Sequence, residues 1–223
     1  MLDERLSLAA SLYPVCEVAA DIGTDHGFLP CHLLENGVCQ RMILADVSAK
    51  AIRRAEAQVA RRNLQDRAAI VCADGLDAVT APCGCISIMG MGGETLAGIL
   101  LKGQDRLQGA TLVLSAHTEL PLARQAIRDI GYHITREVLC RAAGRFYVFW
   151  RAEPGMQPMD DDELRYGRLL YQEHTPLLQE YILWRLNVAK AKLNGLLSAS
   201  EPDETALAQA RSDVSFYQAR MEA

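Results

Sequence analysis

Strand-like and helix-like runs alternate over the first two thirds of this chain, and nothing else in the sequence limits its fold as strongly. The strand-like runs are "EVAADIG", "RMILADVS", "AAIVCADGL", "CISIMG", "ATLVLSAH", "YHITREVLC" and "RFYVFWRAE". Between the early ones lie "FLPCHLLENG", "AKAIRRAEAQVARRN", "ETLAGILLKGQ" and "ELPLARQAIRDIG", which read as helices. This alternation predicts right-handed βαβ units and a mainly parallel α/β sheet. The strands are apolar almost throughout, as in a sheet covered on both faces. Only "AAGR" separates the last two strands, so the sheet is expected to close with an antiparallel pair.

"EPGMQPMDDDE" breaks the alternation and reads as a linker and helix start. Beyond it, Ile182, Leu186, Ala189, Leu193 and Leu196 form one apolar stripe, and Leu207, Ala210, Val214, Tyr217 and Met221 form another. The polar run "SASEPDE" lies between them, which predicts an antiparallel helical hairpin of coiled-coil type. Such an appendage is either a scaffold or dimer element, or a substrate-gripping arm. The expected division is 1–155 for the sheet domain and 156–223 for the helical one.

The length of 223 residues, half of them apolar, suits one core plus an appendage. No apolar run approaches transmembrane length, and "MLDERLSLAASLYP" lacks the pattern of a secretory signal, so a cytoplasmic location is expected. Seven cysteines at uneven spacing predict buried thiols rather than a disulfide framework. "CGC" has no partner pair at zinc-site spacing, and no metal is expected. A net charge of −5 argues against a broadly basic nucleic-acid surface. Lys50, Arg53, Arg54, Arg61, Arg62 and Arg67 nevertheless cluster in one helical segment and its exit, either as a solvated face or as a local phosphate-binding patch.

Ligands of open α/β sheets bind beyond the carboxyl ends of the strands, so the strand ends carry the candidate chemistry. The first ends in "DIGTDHG". Gly23 permits a tight turn, Asp21 offers an acceptor for a ligand ammonium, and Thr24, Asp25 and His26 stand where a dinucleotide fingerprint has glycines. The second ends in Asp46, at the interval where a carboxylate accepts the ribose hydroxyls of an adenosine cofactor. Ser48 is the better helix cap there. Asp74 and Gly75 in "ADGL" suit an adenine edge or an ordinary turn. "MGMGGE", from Met89 to Glu94, places three glycines before a helix, as a phosphate cradle or as a wall between donor and acceptor. No "GK[ST]" follows, which argues against a nucleoside triphosphatase. His117 ends the fifth strand as a base, a ribose contact or a polar rim residue. No serine nucleophile elbow or His-Glu-x-x-His run occurs.

"ADIGTDHGFLP", "ADGL" and "IMGMGGETLAGIL" together closely resemble the bacterial tRNA (adenine-22-N1)-methyltransferase family, and "GYHITREVLCRAAGRFYVFW" looks like its closing strands. The resemblance covers residues 2 to 153 well. It implies a seven-stranded class I methyltransferase (Rossmann-like) sheet, S-adenosylmethionine as methyl donor, and N1 of an adenine in the tRNA D-arm region as acceptor. It further implies that Asp21, Gly23, Asp46, Asp74 and Gly75 line the cofactor, with Thr24, Val47, Met89 and Gly90 beside them. Asp25, His26 and the loop Gly90 to Gly93, including Met91 and Gly92, would face the target base, and the helical tail would help hold tRNA. Where the family has Gln-Pro-Asn, this chain has Ser115, Ala116 and His117. The tail from Met156 carries seven Lys/Arg against eleven Asp/Glu, so positive charge for phosphates must come from elsewhere, with Arg53 and Arg54 as candidates.

Unpaired adenine N1 already carries a lone pair, so methyl transfer is mainly a positioning problem. Positive charge develops on the base, and a carboxylate near its amino group stabilises it. Asp25 is the expected carboxylate, with His26 or His117 orienting the base or relaying a proton. Two other functions stay open at this point: a small-molecule methyltransferase on the same sheet, and a non-catalytic tRNA-binding module.

Overall fold

The structure, a computed structural model, describes residues 2–172, 175–199, 201 and 203–222. Its elements run α1 (Glu4–Ser11), β1 (Cys16–Ile22), α2 (Phe28–Glu35), β2 (Cys39–Asp46), α3 (Ala49–Arg61), β3 (Ala68–Cys72), β4 (Cys85–Met91) and α4 (Gly93–Lys102). They continue with β5 (Thr111–Ala116), α5 (Leu120–Asp129), β6 (Tyr132–Ala142), β7 (Arg145–Pro154), α6 (Asp161–Tyr166), α7 (Pro176–Leu197) and α8 (Glu204–Met221).

The sheet has seven strands in the order β3-β2-β1-β4-β5-β7-β6. β1 to β5 are parallel, and β7 runs antiparallel between β5 and β6, as the short "AAGR" connection predicted. The chain leaves β1 toward β2 on one side and returns as β4 on the other. This reversal of strand order opens a crevice above the carboxyl ends of β1 and β4. The apolar central strands supply the core: Ala19, Ala20, Leu44, Ile86, Ile88 and Leu114 are all buried. β3, at the edge, stays half exposed.

Local chemistry sets the helix starts. Ser48 caps α3 by accepting the Ala51 N–H, and Asp160 and Glu163 close a reciprocal capping box on α6. α1 is capped by Asp3, whose carboxylate accepts the Leu6 N–H.

Two compact units result, Met1–Leu170 and Tyr171–Ala223. The first extends past the expected end at residue 155, for a physical reason. Arg124 and Glu137 form a buried ion pair at 2.7 Å, with side chains 2% and 1% exposed. Arg124 also donates to the carbonyls of Leu164 and Arg165, and the Leu170 N–H donates to Glu137. Polar groups this deep must be paired, so the pair draws the backbone after β7 onto the sheet domain. The second unit is the predicted helical pair: α7 and α8 pack along each other. Ile182, Leu186, Ala189, Leu207, Ala210 and Tyr217 of the two apolar stripes are buried, whereas Met221 is exposed. Residues 200 and 202 of the connecting run lie outside the described residues. No helix among the described residues is long and apolar enough to cross a membrane.

Candidate active site

The chain leaves β1 through a turn that the sequence forces into left-handed backbone. Gly23, Asp25 and Gly27 have φ of 79°, 46° and 66°. Glycine takes this region without penalty, and an aspartate there is strained, a feature that concentrates at functional sites. The Gly23 and Thr24 N–H groups bond to the Ala45 carbonyl at 2.8 and 3.0 Å, which ties the turn to β2. A Cβ on Gly23 would lie 3.2 Å from Met91 Cε, so a larger residue would also press on that methionine.

The turn divides the acids. Asp21 points inward, is 5% exposed, and accepts from the Ser87 hydroxyl. Burial pushes its carboxyl above the usual range, against the Ser87 and Thr24 hydroxyls that favour the ionised form; the Asp46 charge adds to the upward shift. Asp25 points outward. Its Oδ1 lies 2.6 Å from Arg54, and its Oδ2 lies 3.7 Å from His26 Nε2. Arg54 is also 3.3 Å from that same imidazole nitrogen. Asp46 joins the two sides: one carboxylate oxygen accepts the Asp25 N–H at 3.3 Å and the other accepts the Ser48 N–H at 2.9 Å.

The glycines after β4 have separate causes. The β4–β5 register shifts between Ile88 and Met91, a bulge that lifts Met89 and Gly90 out of the ladder. Gly90 has φ of 79° and open space where a Cβ would stand, so its backbone is accessible to a ligand. Gly93 is buried, and a Cβ there would collide with the Thr118 and Glu119 carbonyls. Its N–H donates to the Thr118 carbonyl at 2.9 Å. Gly93 therefore serves close packing of α4 rather than an open face toward a base. Gly92 is intermediate, with Thr118 Oγ1 at 3.1 Å from a Cβ position. Gly75 likewise has φ of 53° and packs on Ile99.

A cavity of about 230 Å³ gathers much of this chemistry. Asp21, Gly23, Thr24, Asp25, His26, Met89, Gly90 and His117 line it, so the expected donor and acceptor residues meet in one place. Asp46, Val47, Asp74, Gly75, Met91, Gly92, Gly93, Arg53 and Arg54 do not line it. Asp74 is exposed and ion-paired with Lys102 at 2.6 Å, and Val47 is 66% exposed. The cluster of cations in α3 and its exit is largely committed. Arg54 holds Asp25, Arg62 holds Glu35, Arg61 holds Gln58, and Arg67 bonds the Gln40 and Cys39 carbonyls. Lys50 and Arg53 are exposed and have no ion pair among the described residues. In the second unit, Arg220 lies 3.5 Å from the Phe216 ring centroid and Arg185 lies 5.3 Å from that of Tyr217.

Ser115 is buried and donates to the Val148 carbonyl, so it joins β5 to β7, while His117 is exposed at the rim. Partial burial and the Arg5 and Arg145 charges lower the His117 pKa below its ordinary value, so the ring is neutral near pH 7. His117 meets Tyr147 edge-on at 5.6 Å, and Arg5 stands 5.2 Å over the same tyrosine. Arg5, Phe28, Tyr147 and Phe149 also line the cavity and were not expected from the sequence. The aromatic residues sit in ordinary strand and helix contexts that give no functional signal.

Known proteins resemble the chain over most of its length. Residues 2–150 match a family profile described as a methyltransferase domain. The tRNA (adenine(22)-N(1))-methyltransferase of Bacillus subtilis is 31% identical over 156 residues, which span 69% of this chain and 66% of that enzyme. A crystal structure from Streptococcus pneumoniae, described as a candidate tRNA (m1A22) methyltransferase, superposes with a TM-score of 0.90 at 25% identity, covering 99% of this chain and 100% of that one. The same protein in complex with S-adenosyl-L-methionine superposes with a TM-score of 0.89 at 24% identity, over 99% and 100% of the two chains.

Proposed function

The chain belongs to the methyltransferase-domain family, and from that premise we propose that it is an S-adenosylmethionine-dependent tRNA (adenine(22)-N(1))-methyltransferase of the cytoplasm. The observation that carries this reading is the end of β1 and the turn after it, Asp21 to Gly27, which puts a buried carboxylate, Asp21, and an exposed one, Asp25, on the same cavity.

The donor set suits the cofactor. Asp21 is a buried acid whose ionised form lacks a cation partner among the described residues, and a ligand ammonium supplies one. Asp46 spends one backbone N–H on each oxygen and keeps acceptor capacity for ribose hydroxyls. Gly90 leaves its backbone open beside them. Asp74 and Gly75 stand at the neighbouring strand end for the adenine edge, with Asp74 shared with Lys102. When bound, S-adenosylmethionine supplies an electrophilic methyl group on a sulfonium.

The protein's own residues then position the acceptor. Asp25 faces the base and stabilises the positive charge that develops as N1 is alkylated. Arg54 anchors Asp25 rather than a phosphate, while Lys50 and Arg53, without an ion pair among the described residues, offer positive charge for the tRNA backbone. His26 and the neutral His117 orient the base from the cavity wall. Tritium transfer from labelled cofactor to an unmodified tRNA transcript, followed by mapping, is expected to give N1-methyladenine at a D-arm adenine. Transfer to another nucleotide, or none to tRNA, would overturn the assignment.

Asp21→Asn separates affinity from stability. Losing a charge-assisted contact of about 1.5–3 kcal/mol predicts a ten- to hundredfold loss of cofactor affinity. The sign for stability is opposite. A carboxyl raised by burial contributes stability below the ordinary carboxylate range and loses it as pH rises through its folded pKa. The raised carboxyl therefore costs stability at pH 7, well above the ordinary carboxylate range, and the asparagine variant should melt higher there. That advantage should vanish near pH 3, where the acid is protonated in both states. Calorimetric titration and melting curves at the two pH values read both effects. A lower melting temperature at pH 7 would contradict the account.

A further inference from the structure

The cavity wall contains a ring stack in which His26, already assigned to the base, is paired with Phe28, which has no role so far. His26 and Phe28 lie with ring planes 9° apart and centroids 5.3 Å apart. Residues two apart face each other this way because Asp25 and Gly27, on either side of His26, both take left-handed backbone. The imidazole Nε2 lies 3.3 Å from Arg54 and 3.7 Å from Asp25, contacts at the ring edge that leave its faces to stacking. Phe28 is 39% exposed, whereas Leu29, Cys31, Leu33 and Leu34 of the same helix are buried. A single exposed apolar residue is unremarkable. An exposed ring already stacked on a second ring, with both lining one cavity, is a ready surface for a third flat ring.

We propose that the His26–Phe28 stack is the platform on which the acceptor adenine of the tRNA lies, with Phe28 as a positioning residue for methyl transfer. This deepens the tRNA methyltransferase reading and rests on it. The cofactor's own adenine is the other flat ring available, but its candidate partners, Asp46 and Asp74, stand at the β2 and β3 ends and do not line this cavity. The base must leave its own stack to reach N1 chemistry, and a protein ring replaces part of the stacking it gives up.

The test compares Phe28→Leu with Phe28→Tyr in the full chain. Single-turnover transfer to an unmodified tRNA transcript, S-adenosylhomocysteine binding and thermal melting are measured for each. Base–aromatic stacking of the usual strength predicts a loss of about ten- to hundredfold in kcat/KM for Phe28→Leu. S-adenosylhomocysteine affinity and melting temperature should stay unchanged, and Phe28→Tyr should recover most of the rate, because it restores a ring. A leucine variant as fast as wild type overturns the platform, and so does a tyrosine variant as slow as the leucine one. Parallel loss of S-adenosylhomocysteine affinity would reassign the stack to the cofactor. If the unaltered protein transfers no methyl to tRNA, the proposed function itself falls, and the platform with it.

Discussion

Asp25→Asn is expected to slow methyl transfer to tRNA by about 10²–10³-fold, the range found when one preorganised electrostatic group is removed from a reaction centre. Cofactor affinity should hardly move. Asparagine is the informative replacement because Asp25 sits at φ of 46°, a conformation asparagine tolerates and alanine resists. The variant keeps the turn and removes the charge. Arg54 loses its ion partner, but both side chains are more than a third exposed, and such pairs contribute only about 0–1 kcal/mol to folding. The cofactor side of the turn depends on Asp21, which is buried and bonded to Ser87, on the other side of the backbone. Single-turnover kinetics and titration with S-adenosylhomocysteine read the two halves separately. Equal loss of rate and affinity would mean that Asp25 shapes the turn rather than the reaction.

Arg124→Ala should be the most damaging change to stability. Glu137 accepts from Arg124, from Trp150 Nε1 at 2.8 Å and from the Leu170 N–H at 3.1 Å. Removing the guanidinium leaves a buried carboxylate without its counter-charge, and breaking such a pair costs about 3–5 kcal/mol. For a chain of this size that lowers the melting temperature by roughly 10 °C. Gly167 belongs to the same assembly, since a Cβ there would lie 2.6 Å from Glu137 and 2.8 Å from Arg124. Limited proteolysis should therefore open first within residues 156–170, which Arg124 ties to the sheet. Arg124→Met combined with Glu137→Leu should recover much of the loss, because an apolar pair carries no unpaired charge. A single variant that melts within a degree or two of wild type would show that the pair is dispensable.

The sheet was legible because its signals are local. Apolar runs, glycines at the exits of β1 and β4, and capping residues such as Ser48 and Asp160 each act within a few residues. The site was legible in part for the same reason: Asp21, Asp25 and His26 sit in one turn, and the topology brings it to the strand ends. The limits have physical causes too. "MGMGG" reads as one glycine-rich loop, yet Gly90 relieves a bulge, Gly92 begins α4, and Gly93 makes room for the backbone of residues 118–119. Those demands come from partners distant in sequence. The same holds for Arg54, whose partner Asp25 lies on another element.

By itself the sequence determined the alternating α/β architecture, the terminal antiparallel pair, the helical pair beyond it, and the turn that carries the candidate acids. Each follows from periodicity or from backbone preferences that neighbouring residues impose. Only the tertiary structure decided which cations of the α3 segment are paired, which glycines face a cavity, where the first unit ends, and that Phe28 stacks on His26. Those outcomes depend on burial and on pairing between side chains that sequence separation does not encode.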